Sequence, residues 1–97
     1  MSHKHENLIQ AIFRDPITGN IHWREVESLL HHLGAEVESL SGARLRVKLH
    51  GYEDVLHRPH HGNTLDRSAV KILREYLARA RVTPSLFEAR KPHKNDA

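Results

Sequence analysis

Hydrophobic positions along the chain follow a helical period at both ends and a period of two in the middle. Leu8, Ile9, Ile12 and Phe13 recur at helical spacing from Glu6 to Phe13, and Asp15-Pro16-Ile17-Thr18-Gly19-Asn20 follows as a cluster of turn formers. From His22 a longer stripe of Trp23, Val26, Leu29, Leu30 and Leu33 predicts an amphipathic helix, with Gly34 where a left-handed cap would end it. The period then shortens. Ala35 to Leu40 alternates weakly, and after Ser41-Gly42 the run Arg44-Leu45-Arg46-Val47-Lys48-Leu49 alternates strictly, which predicts a strand with one buried face. His50-Gly51 is a tight turn, and Tyr52 to His57 returns as a third antiparallel strand that Pro59 stops near Arg58. Beyond the polar connection His60-His61-Gly62-Asn63-Thr64, Asp66 caps a helix carrying Ala69, Val70, Leu73, Leu77 and Ala80 on one side.

The predicted order is (α)-α-β-β-β-α. A meander with one apolar face and two amphipathic helices have one economical solution: an α+β fold whose three-stranded antiparallel sheet is covered on one face by both helices. That is the double-stranded-RNA-binding-domain arrangement. Residues 1–19 form an N-terminal helix and loop, 20–82 the domain, and 83–97 a polar, nearly coreless tail read as flexible.

Composition narrows the function classes. With 97 residues the chain has room for one small domain, and with no cysteine it has neither disulfides nor thiol chemistry. No apolar run approaches the roughly 18 residues that span a bilayer, and Met1-Ser2-His3-Lys4-His5 lacks a secretory core, so a cytoplasmic protein without membrane contact is expected. Fifteen Lys+Arg against twelve Asp+Glu, together with ten histidines, make an anionic partner plausible without identifying it.

Three segments carry a family resemblance: Ile21-His22-Trp23-Arg24-Glu25-Val26-Glu27-Ser28-Leu29-Leu30, the junction Leu33-Gly34-Ala35-Glu36-Val37, and His57-Arg58-Pro59-His60. Over roughly residues 20–82 the chain resembles the HicA toxins. The resemblance implies the fold inferred above, a toxin that degrades messenger RNA as an endoribonuclease, and neutralisation by a HicB-type antitoxin. It also implies a Gly-Ser-His sequence at the start of the second strand, whose histidine is the catalytic residue; here that stretch reads Gly42-Ala43-Arg44.

Alternation alone places Arg44, Arg46 and Lys48 on the open sheet face, spaced much as phosphates are along RNA. Glu36 and Glu38 face the same way, so cross-strand pairing on a solvated surface is the ordinary alternative. A two-residue turn sets Arg44 opposite His57 and a four-residue loop sets Arg46 there; either puts His57 on the cationic face. RNA cleavage through the 2′-hydroxyl needs a base, an acid and cations for the charge on phosphorus. His57 and His60 are the candidate catalytic residues; Arg44, Arg46, Lys48, Arg58 and Lys71 are the candidate nucleic-acid contacts. The ordinary alternative for His57 is a surface histidine at a strand end. A zinc site from His57, His60 and His61 has no nearby carboxylate or thiolate to complete it, so neither metal nor cofactor is expected. His31 and His32 suit the negative end of the first long helix. Trp23 reads as core rather than a stacking platform, and with Tyr76 and Phe87 the aromatic set is thin. Arg67, Lys71, Arg74, Arg79 and Arg81 give the last helix a basic side that would serve RNA, an acidic antitoxin, or merely solvation, Lys71 and Glu75 having the spacing of a helical ion pair.

Overall fold

The alternation of the central run holds without a slip. In this computed structural model, which describes residues 3–59 and 62–86, Leu45, Val47 and Leu49 are buried while Arg44, Arg46 and Lys48 are exposed. The elements in chain order are α1 (His3–Ile12), β1 (Ile21–His22), α2 (Trp23–His32), β2 (Glu36–Ser39), β3 (Arg44–Leu49), β4 (Tyr52–His57), β5 (Thr64–Leu65) and α3 (Arg67–Arg79). Strands β2, β3 and β4 form an antiparallel sheet in that order. The turn between β3 and β4 has two residues, His50 and Gly51, with φ of +53° and +85°. Two successive left-handed residues match the twist of a hairpin. They fix the register at Leu49 opposite Tyr52 and Arg44 opposite His57. The His50 ring fastens the turn to the far end of α3, its Nδ1 donating to the Ala80 carbonyl oxygen at 2.7 Å.

Beneath the sheet, α2 contributes Trp23, Val26, Leu29 and Leu30 to the core, and α3 contributes Val70, Leu73, Tyr76 and Leu77. Helix α1 adds Leu8, Ile9 and Ile12 to the same apolar cluster. Tyr76 is fully buried, and its hydroxyl meets the carbonyl oxygens of Tyr52 at 2.8 Å and Val47 at 3.2 Å, tying α3 to the hairpin. Burial, with the Asp54 carboxylate next, holds its phenol above the usual tyrosine range. Helices α2 and α3 both end in a Schellman turn. After α2, Ala35 donates to the Leu30 carbonyl and Gly34 to that of His31, with Gly34 at φ +85°. After α3, Val82 and Arg81 donate to Leu77 and Ala78, and Arg81 takes φ +67°.

Sequence periodicity misses one pairing. Ile21–His22 pairs with Thr64–Leu65 in a two-residue antiparallel ladder. Asn20 donates to Leu65 and Trp23 to Asn63, clipping the start of α2 to the segment that leads into α3. Two residues are too few to show a period. The Asp66 cap is as expected, its carboxylate accepting from the Ala69 amide at 2.9 Å. The expected flexible tail from residue 83 falls largely outside the described residues.

Candidate nucleic-acid interface

The open sheet face is built by strand alternation. Arg44, Arg46 and Lys48 of β3 face out, with His57, Val55 and Glu53 of β4 beside them and Glu38 and Glu36 of β2 on the other flank. The Arg58 amide donates to the Ala43 carbonyl at 2.8 Å, which makes Ala43 and Arg58 a hydrogen-bonded pair. By the alternation of antiparallel ladders, Arg44 and His57 are then a non-hydrogen-bonded pair, the kind in which side chains lie closest, with Cα atoms about 4.5 Å apart. A guanidinium and an imidazole thus share one exposed corner. Arg44 is steadied from below by Ser41, donating to its Oγ at 2.8 Å and to its carbonyl oxygen at 3.4 Å. His57 makes no hydrogen bond among the described residues.

Arg46 is in a different state. Its Nη1 lies 2.9 Å from Glu38 Oε1 and its Nε 3.2 Å from Glu53 Oε2, so carboxylates from both neighbouring strands hold it. Cross-strand pairing, open as an alternative from the sequence, is what this residue does. Lys48 stands between Glu36 and Glu53 in register but forms no ion pair among the described residues. Arg58, just after β4, reaches Ser39 Oγ with Nη2 at 3.4 Å, and its buried Nε has no partner among the described residues.

His57 also borders the opposite side of the β4 edge. A cleft of about 350 Å³ at the end of β4 is lined by His57, Arg58, Pro59, Thr64 and Asp66 beside the first turn of α3. A smaller apolar recess next to it is lined by His57 together with Trp23, Leu56, Leu65 and Ile72. Trp23 is core, as expected, but its buried indole Nε1 has no hydrogen-bond partner among the described residues. Thr64, Asp66 and Trp23 were not legible as neighbours of His57, because the β1–β5 clip that gathers them has no sequence period.

The remaining candidates are scattered. Lys71 is exposed on α3, lines neither cleft, and makes no ion pair among the described residues, with Glu75 or otherwise. His60 and His61 lie outside the described residues, as does Phe87, and no group of metal-ligating side chains occurs among those described. His31 and His32 do end α2, and His32 stacks on His5 of α1 with ring centroids 4.5 Å apart. His5 Nε2 lies 3.0 Å from Ser28 Oγ. Burial first, then the charges of His32 and Lys4, push the His5 imidazole below its usual pKa. No described helix is long and apolar enough to cross a membrane.

An α-β-β-β-α unit, with both helices on one sheet face and a polar face left open, defines the double-stranded-RNA-binding-domain-like class. The family model described as the HicA toxin of bacterial toxin-antitoxin matches residues 23–78, more than half of the chain and the whole span from α2 into α3. The chain belongs to the HicA toxin family, and so to the toxins of toxin–antitoxin pairs. No curated protein and no solved structure matches it.

Proposed function

We propose that this toxin binds messenger RNA at the Arg44–His57 corner and cleaves it by histidine acid/base chemistry, and that a HicB-type antitoxin silences it. The observation that carries the reading is the directly opposed, exposed pair of Arg44 and His57 on the face away from the helices. In the proposed reaction His57 removes the proton from a ribose 2′-hydroxyl, whose oxygen attacks the adjacent phosphorus. The bond to the 5′-oxygen breaks, leaving a cyclic phosphate. His60, three residues on, gives the leaving oxygen its proton. Arg44 faces the charge that builds on the phosphoryl oxygens, a role a fixed guanidinium fills well. Arg58 steadies the strand in the adjoining cleft, while Lys48, beyond Arg46 on β3, and Lys71, on α3, lie away from this corner and take no part in the proposed step. The reading expects the chain to act in the cytoplasm, where messenger RNA is found.

A second reading has its own support: a binding module that kept the fold and lost cleavage. Arg44 stands where the family resemblance implies a catalytic histidine, and among the described residues His57 lacks the orienting hydrogen bond that acid/base histidines usually have. Incubation of labelled RNA with the protein in EDTA separates the two. The ribonuclease reading expects cleavage that His57→Ala reduces by at least about a hundredfold, the usual contribution of one acid/base group. RNA that is retained but left intact supports the module instead, and RNA that is not retained at all defeats both.

A further inference from the structure

We infer that Glu38 and Glu53 withhold Arg46 from RNA, so that phosphate contact starts at the Arg44–His57 corner instead of running along the whole cationic row. The inference rests on the RNA reading above.

Arg44, Arg46 and Lys48 recur about every 6.7 Å along β3 and would form a continuous phosphate rail if all three were free. They are not equivalent. Arg46 alone is held by two carboxylates, one directly opposite on β2 and one diagonal to it on β4, at 2.9 Å and 3.2 Å. Among the described residues Arg44 has only the neutral Ser41 as partner. Beyond Arg44 the face therefore carries three carboxylates, Glu36, Glu38 and Glu53, against two cations, Arg46 and Lys48. A phosphate approaching Arg46 would have to displace one carboxylate and lie beside the other. With side-chain exposures of 46% for Arg46, 64% for Glu38 and 53% for Glu53, these pairs contribute little to stability. What the ladder changes is the surface potential: the same strand is cationic at its first residue and neutralised at its third.

The test is retention of a labelled single-stranded RNA by the full chain as salt is raised. Each cation engaged with phosphate adds about 0.7 to the slope of log Kobs against log[salt] for single strands. Arg44→Gln is expected to lower the wild-type slope by that amount, and Arg46→Gln to leave both affinity and slope unchanged. The double variant Glu38→Gln/Glu53→Gln is expected to bind more tightly with a slope steeper by about 0.7, the freed Arg46 now contributing. Adding Arg46→Gln to that double variant should remove the gain. Two outcomes overturn the inference while leaving the RNA reading intact: Arg46→Gln alone weakening binding as Arg44→Gln does, or the gain of the double variant surviving Arg46→Gln. A wild-type chain that retains no RNA overturns the reading and the inference with it. Unchanged thermal midpoints across these exposed variants keep folding out of the comparison.

Discussion

Single residues carry two departures from the least costly choice. Arg81 sits at φ +67° in the turn after α3, a left-handed position that glycine fills without a Cβ penalty. The turn holds because Val82, buried behind it, packs where the Schellman motif wants an apolar residue. Arg81→Gly should therefore raise stability by about 0.5–1 kcal/mol in urea unfolding, even though it removes a longer side chain. His5 is the other case. Its imidazole is held below the ordinary value of about 6.5 by burial, His32 and Lys4, so on acidification the unfolded chain takes up this proton before the folded one does. Stability is then fully present above the ordinary histidine value and is lost as pH falls towards the lowered one. Unfolding at successive pH values checks the sign: the wild type should lose more stability between about pH 7.5 and about pH 5 than His5→Gln does. Equal losses would mean that the α1–α2 contact does not sense the charge.

At the scale of elements, the hairpin between β3 and β4 sets the site. Its two left-handed residues fix the register, and the register places His57 on the open face. Gly51→Ala at φ +85° should cost about 1–2 kcal/mol. If the loop relaxes by one residue, every side chain of β4 changes face, so RNA retention should fall along with stability. Tyr76→Phe removes the hydroxyl that α3 places on the Tyr52 and Val47 carbonyls, and should cost about 0.5–1.5 kcal/mol in urea unfolding. Much of this was legible beforehand. The strand limits at Arg44, Leu49, Tyr52 and His57, the Asp66 cap and the Gly34 ending all follow from alternation and capping rules acting locally. The β1–β5 clip was not legible, because its two-residue strands are specified by chain segments some forty positions apart. The left-handed Arg81 was also hidden, since no glycine marks it.

Over the whole molecule, a net charge of +3 says little until its placement is known. Among the described residues the sheet-face cations differ, Arg44 having no carboxylate partner and Arg46 having two, and on α3 Arg79 is tied to Asp54 at 2.6 Å. The sequence located His57 on the cationic face because side-chain parity along a strand is rigid, but left Arg44 and Arg46 as alternative partners that only the two-residue turn decides in favour of Arg44. It left the fate of Arg46 open, because ion pairing depends on rotamers and diagonal contacts that parity does not fix. It placed Lys71 among the RNA contacts, yet α3 lies beneath the sheet and sets that residue apart from both clefts bordered by His57. The family match supplies the toxin class, and the charge placement supplies the proposed point of contact. Resonance mapping of the labelled protein during titration with a short single-stranded RNA tests that point most directly. The account predicts that the largest, salt-sensitive shifts fall on His57 and Arg44, with Arg58 next and Glu36 little moved. Shifts confined to the outer side of α3, with His57 unchanged, would contradict it.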